Sequence, residues 1–302
     1  MPQLSIIIPV LNDQEEINKT ISSIRETTHA TLEIIVIDDN SDIPIVLLDK
    51  HAILIRNSTR VGAGSSRHIG VLRASSKYIL MIDSHMRFVD GWYEKAMEHL
   101  KTGENTVWCC QCLGLDESMM NPLTPKGIYT GADLVIYRKS DNKLFEGVWR
   151  GQQSGNRYDI PCIMGACYFS TREWFLYIGG LEFNKDWGDE EPFLSIKSWL
   201  AGGNVMMMND FGIGHKFRST SSYTTNISSL KYNKIRPIMT MFPIDLVEKL
   251  IEKIPNDINK QSALDLINAD IDSINTESEY YKSIFKHDIY WLIEKFKIPC
   301  EV

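Results

Sequence analysis

The sequence predicts an α/β fold, a doubly wound and mostly parallel sheet followed by a helical carboxyl-terminal extension, and three observations carry that prediction. Short apolar runs at Leu4 to Pro9, Ile34 to Ile37 and Tyr78 to Ile82 are continuous rather than alternating, as in strands buried on both faces. Helix-forming stretches separate them, which is the βαβ rhythm of a parallel sheet. Beyond Ser219 the segments Ile244 to Ile254, Ser262 to Ile274 and Glu279 to Phe296 keep helical apolar spacing without further strands. The expected organisation is an α/β domain over residues 1–218 and a helical extension over 219–302.

Taken in order, Leu4 to Pro9 is a strand, and Asp13 with Glu16 three residues on has capping-box spacing, opening a helix to about Thr27. Glu33 to Ile37 repeats the logic and ends in Asp38 and Asp39. Acids at a strand's carboxyl end sit where α/β sheets bind ligands. A short strand near Ala52 to Ile55 precedes Gly62-Ala63-Gly64-Ser65-Ser66-Arg67, which leads into a helix running to about Ala74. The strand Tyr78 to Ile82 then delivers Asp83-Ser84-His85.

From Asn105 to Gly165 the pattern is aromatic, irregular and rich in glycine, with strand-like pieces at Thr106 to Leu113 and Ala132 to Tyr137, and it reads as sheet edge and substrate loops. A helix starts at Thr171. A second runs from Glu190 to Leu200 and stops at Gly202-Gly203, and a strand follows at Asn204 to Met208.

Composition narrows the function classes. The chain of 302 residues is 43% hydrophobic and 24% charged, so disorder and fibrous classes are excluded. A net charge of -7 argues against whole-surface attraction to nucleic acid. The six cysteines lack paired metal-site spacing and read as buried thiols. The start has no signal-peptide pattern and no stretch approaches the ~20 apolar residues of a membrane span, so a cytoplasmic protein is expected.

Three segments carry chemistry. Asp83-Ser84-His85 follows a buried strand, where alternate residues aim a carboxylate and an imidazole at one point. That pair suits Mn²⁺ or Mg²⁺, with imidazole tipping the preference to manganese; a strand-end turn with a capping aspartate is the plain alternative. His215 lies in FGIGHKFR, whose glycines allow close backbone approach and whose basic residues suit phosphate; taken alone, the segment favours a surface histidine in a flexible loop. Trp187-Gly188-Asp189-Glu190-Glu191 places acids at a helix amino terminus, which dipole stabilisation alone accounts for. In the functional reading Glu190, with Asp189 beside it, serves as general base or positioning group. The remaining histidines have no partner pattern, and most tryptophans suit a core. Trp149-Arg150 is the exception, preceding a polar stretch, Gly151 to Arg157, with the character of an acceptor loop.

In order, SIIIPVLNDQEEINKTISSI, EIIVIDDNSD, GAGSSRHIGVLRASSKYILMIDSH, IPCIMGACYFS with its continuation through WGDEEPF, and GIGHKFRS resemble the catalytic domain of GT-A glycosyltransferases. The first two segments look like the broad family 2 enzymes. The later ones are similar to the polypeptide N-acetylgalactosaminyltransferases, whose pattern runs D-x-H, a small-residue M-x-G-x-x-F-S segment, W-G-G-E-N and G-H-x-F-R. The resemblance covers about residues 4 to 218. It implies a GT-A fold that binds a nucleotide sugar, usually a UDP-sugar, through Mn²⁺. Carried over by position, it implies metal ligation by Asp83, His85 and His215. Asp39 would contact the base or ribose, Pro9 would line the same pocket, and Arg67 and Arg218 would lie near the diphosphate. Glu190 matches the acid of the W-G-G-E-N segment, whereas Asp189 and Glu191 depart from its second glycine and its asparagine.

The expected function is therefore metal-dependent transfer of a sugar to an acceptor hydroxyl on a glycan, a protein or a modified nucleobase of phage-type DNA. Lys216, Arg218, Lys231, Lys234 and Arg236 bear on the last option, although a charged stripe on a solvated helix accounts for the last three. A catalytically silent GT-A domain that binds a nucleotide or acts as a scaffold is the alternative. A nucleotidyltransferase ranks last, because the first strand leads into Leu11-Asn12-Asp13 rather than a glycine-rich phosphate loop.

Overall fold

The structure is a computed structural model that describes residues 2–115, 127–217 and 224–302. The chain opens with β1 (Leu4–Val10), α1 (Gln14–Glu26), β2 (Leu32–Asp38), β3 (Ile53–Arg56), α2 (Ala63–Arg73), β4 (Tyr78–Ile82), β5 (Met86–Arg87) and α3 (Trp92–Leu100). Next come β6 (Thr106–Leu115), β7 (Gly127–Arg138), β8 (Lys143–Gly151), β9 (Arg157–Asp159), β10 (Cys167–Thr171), α4 (Arg172–Tyr177), α5 (Glu190–Leu200) and β11 (Asn204–Lys216). Five helices end it: α6 (Ile227–Met241), α7 (Ile244–Lys253), α8 (Ile258–Ala269), α9 (Ile271–Ile284) and α10 (Ile289–Phe296).

Among the described residues the strands form one sheet in the order β3-β2-β1-β4-β10-β6-β11-β5. The β3-β2-β1-β4 half is parallel, and β10 runs antiparallel between β4 and β6. Strand parity sorts the core. Ile7, Ile79 and Met81 point into one apolar layer, and Ile6, Ile8, Leu80 and Ile82 into the other. That two-sided burial is why these strands read as continuous apolar runs. Pro9 fits in a central strand because the β1–β4 ladder ends at Ile7↔Met81, before its missing N–H is needed.

Several sequence expectations change. Asp13 occupies the cap position of α1 without any side-chain cap. Instead its carboxylate accepts from Ser84 Oγ at 2.5 Å, and Glu16 is drawn to Arg87 and Lys216, so the capping-box spacing serves tertiary contacts. The segment read as sheet edge contains β6, an interior strand flanked by β10 and β11. The strand expected over Asn204 to Met208 continues to Lys216, with a bulge between Met208 and Gly212, so His215 stands on a strand rather than in a loop.

The carboxyl-terminal helices share the core of the sheet. Tyr232, Ile238, Leu250, Ile267, Tyr281 and Leu292 belong to the same apolar cluster as Ile7 and Met81. The Pro299 carbonyl accepts from the amides of Ile136 and Tyr137, and the Leu200 carbonyl from those of Lys286 and His287. The basic residues read as a solvated stripe on α6 turn inward: Lys231 pairs with Asp257, Lys234 with Asp189 and Arg236 with Glu277. Arg236 is only 2% exposed, its guanidinium 3.9 Å from the Phe183 ring centroid. The five cysteines from Cys109 to Cys167 are buried thiols as expected, and burial pushes Cys109 up to about 12.

Candidate functional site

The carboxyl ends of β1, β2 and β4 open onto a cleft lined by Pro9, Asp39, Arg67, Asp83 and His85, five positions singled out from the sequence. The β4 strand ends at Ile82, so Asp83 and His85 emerge on one side of the sheet. Strand β11 comes in from beyond β6, pairs antiparallel with β5 at His215↔Met86, and so carries His215 to the same point. One ligand atom from each of Asp83, His85 and His215 lies within 4.8 Å of the others. The two imidazole rings are 4.9 Å apart between centroids, and His215 Nε2 stands 3.3 Å from Asp83 Oδ2. His215 Nδ1 is buried with no partner, a polar atom whose need an ion or its hydration shell would meet. One carboxylate and two imidazoles form a mixed oxygen–nitrogen donor set that fits a divalent cation such as Mn²⁺.

Burial pushes the Asp83 carboxyl up, but the His215 hydrogen bond and the charges of Arg67 and His85 outweigh it and hold Asp83 well below the usual carboxylate range. An anionic ligand is therefore ready for a cation. Asp13, missed as a site residue because its spacing suggested a cap, lies 3.5 Å from His85 Nδ1, where a carboxylate orients an imidazole.

Arg67 lines the cleft with its guanidinium already paired. It is 3% exposed and bridges two carboxylates, Glu190 Oε2 at 2.9 Å and Asp83 Oδ1 at 2.5 Å. Its helix is brought in by the Gly62-Ala63-Gly64 turn. Gly62 has φ +100°, and a Cβ there would fall 2.2 Å from the Asp186 carbonyl; one on Gly64 would fall 2.7 Å from Asn184 Cβ. Asp39 organises the same turn, its carboxylate accepting from Asn57 Nδ2, Val61 N and Gly62 N. Three of its roughly four acceptor positions are thus used, leaving one for a ligand hydroxyl. Arg60 pairs with Asp186 on the rim of the cleft, a contact invisible at their separation in sequence.

Glu190 and Asp189 line a second cavity, and Trp187 lines both it and the cleft. Asp189 holds the cap position of α5 in the left-handed region, φ 63°, yet caps nothing. Its Oδ1 accepts from Lys234 Nζ at 2.9 Å, and burial, opposed by that lysine, pushes it up to about 6. Burial likewise raises Glu190, against the pull of Arg67. A carboxyl raised this way is suited to accept a proton near neutral pH. Trp149, on β8, stacks edge-on against Tyr129 and Phe217, whose ring lies 4.5 Å from His215, forming an aromatic wall beside the cluster. Arg218 lies outside the described residues.

Residues 5–142 match the family described as Glycosyl transferase family 2. Putative polypeptide N-acetylgalactosaminyltransferase 13 of Drosophila melanogaster is 29% identical over 220 residues, spanning 63% of this chain and 37% of that protein. Polypeptide N-acetylgalactosaminyltransferase 14 of Homo sapiens is 27% identical over 234 residues, spanning 74% of this chain and 42% of that protein. The chain thus spans half the length, or less, of these relatives. Among solved structures, GalNAc-T7 with UDP, GalNAc and Mn²⁺ superposes with a TM-score of 0.69 at 17% identity, over 98% of this chain and 57% of that one. This likeness establishes the shared fold.

Proposed function

From the premise that this chain is a family 2-like glycosyltransferase of the GT-A fold, we propose that it is a metal-dependent enzyme moving a sugar from a UDP-sugar to an acceptor hydroxyl. The observation that carries the proposal is the convergence of Asp83, His85 and His215, the first two of which line the cleft together with Pro9 and Asp39. The names of the relatives and the UDP and Mn²⁺ bound in the GalNAc-T7 structure support the donor and the ion.

In this reading Asp83, His85 and His215 hold the cation, which when bound offsets the charge that gathers on the diphosphate as the bond to the sugar breaks. Pro9 and the free acceptor position of Asp39 hold the nucleoside. Arg67 fixes Asp83 and Glu190 in one rigid unit and keeps their charges compensated while water is excluded. Glu190 stands on the sugar side, where it takes the acceptor proton if configuration inverts, or orients sugar and acceptor if it is retained. Acceptors in this reading are hydroxyls of a glycan, a protein or a modified nucleobase. The inward turn of Lys231, Lys234 and Arg236 removes the downstream basic residues that favoured the last.

The test is thermal stability across nucleoside diphosphates and UDP-sugars with and without Mn²⁺, since ligand binding to the native state raises the midpoint. A manganese-dependent rise with UDP or a UDP-sugar is expected. A folded protein that responds to no nucleotide would instead be a catalytically silent scaffold.

A further inference from the structure

We propose that Glu16 is a positioning residue that holds His85 and His215 at the spacing a divalent cation needs, acting through Arg87 and Lys216. This rests on the metal reading above and goes beyond it by assigning the relative set of the two histidines to a side chain outside the cluster.

The two imidazoles stand on segments that meet only briefly. Strand β5 is two residues long, ends the sheet order and, among the described residues, pairs with β11 alone, at Gly214↔Arg87 and His215↔Met86. One more backbone bond, from the Lys216 amide to the His85 carbonyl at 3.1 Å, completes the join. A ladder this short is marginal by itself. It nevertheless fixes two of the three candidate ligands relative to each other.

Helix α1 supplies what the ladder lacks. Thr20, fully buried, accepts from the Met86 amide at 2.9 Å and donates to the Ser84 carbonyl at 2.7 Å, which secures the β5 segment against the helix. One turn earlier on the same helix face, Glu16 accepts from Arg87 Nη2 of β5 on Oε2 at 2.7 Å and from Lys216 Nζ of β11 on Oε1 at 3.0 Å. A single carboxylate thus ties both strands through charge-assisted hydrogen bonds, right beside the histidine on each.

The tie is shielded from water. Glu16 is 7% exposed, and the side chains of Arg87 and Lys216 are 12% and 13% exposed. Burial pushes the Glu16 carboxyl up, but the Lys216 and Arg87 hydrogen bonds outweigh it and hold it below the usual carboxylate range. Ions withdrawn from water in this way return little net stability, and fixing register is their best-attested use. The register fixed here is that of His85 against His215, whose rings are 4.9 Å apart.

The experiment is Mn²⁺ titration of the full chain, alone and with UDP, read by the electron paramagnetic resonance of the free ion. It compares the parent with Glu16→Gln and Lys216→Met, alongside urea midpoints of the metal-free proteins. Losing a residue that orients a metal ligand costs roughly 10–100-fold in metal affinity, and both variants should lose about tenfold or more. The pair separates positioning from through-space charge, because removing an anion weakens a nearby cation site whereas removing a lysine tightens it. Glu15→Gln makes the same charge change at a side chain 79% exposed on the same helix and should keep the parent affinity. Parent affinity in Glu16→Gln, an equal loss in Glu15→Gln, or tighter Mn²⁺ binding by Lys216→Met overturns the inference. A lower urea midpoint with unchanged Mn²⁺ affinity overturns it too, leaving Glu16 a purely structural residue. If Glu16→Gln does not fold, Lys216→Met decides by the sign of its change. A parent that binds no Mn²⁺ with or without UDP overturns the metal reading as well.

Discussion

Replacing Arg67 by methionine removes the cation from between two carboxylates while keeping most of the side-chain bulk. Arg67 is 3% exposed and donates to both Glu190 and Asp83, so neither acid gains water when it goes. Breaking one member of a buried ion pair costs about 3–5 kcal/mol, because a charge is stranded rather than because the pair itself is strong. The loss should depend on pH. Burial already raises Glu190 even with Arg67 present, and removing the cation raises it further. An acid whose folded pKa lies above its unfolded value binds more protons when folded, so its contribution is fully present below about 4.5 and is lost as pH rises through the folded value. In urea denaturation of metal-free protein, Arg67→Met should therefore lose about 3–5 kcal/mol at pH 8 and clearly less at pH 5. Arg67→Lys, which keeps the charge but not the forked geometry, should fall between. A loss below about 1 kcal/mol at pH 8, or the same loss at both pH values, would refute the claim that Arg67 is the common counter-charge of the site.

His215→Ala should abolish the Mn²⁺-dependent part of UDP stabilisation while shifting the metal-free midpoint little; unchanged UDP affinity in Mn²⁺ would sink the ligand assignment. Glu190→Gln should lower turnover about 10²–10⁴-fold with donor affinity retained, as a steady-state and calorimetric comparison would read out. His68 accepts the Leu181 N–H on Nδ1, and burial lowers it to about 4, so it is neutral in the fold. A depressed folded value means stability is present above about 6.5 and lost as pH falls toward 4, on the order of 3 kcal/mol. Chemical denaturation between pH 7 and 4 should show that loss shrinking in His68→Gln.

The fold was legible wherever local pattern and burial agree. Continuous β-branched and aliphatic runs located β1, β2 and β4, and Gly202-Gly203 closed α5 where the sequence placed its end. Asp83 and His85 were legible at a strand end, since a strand terminus fixes where the next side chains emerge, whereas His215 was picked out only by its glycine-flanked segment because the extension of β11 past its bulge was not. What local pattern does not contain is the partner of a side chain. The antiparallel strand β10 escaped notice because nothing in Cys167–Thr171 states its direction; only its seat between β4 and β6 does. Asp13 has cap spacing, yet Ser84 takes its carboxylate, since α1 packs where that hydroxyl competes with the helix amides.

The order of elements, the two-faced sheet and the residue types at its carboxyl edge are set by the sequence itself, because hydrophobic period and turn chemistry act over a few residues. The tertiary structure alone decided that Arg67 counters Asp83 and Glu190, and that Lys234 crosses from α6 to Asp189. Charges buried together must find each other across 16 to 123 residues of chain, and only packing sets those distances.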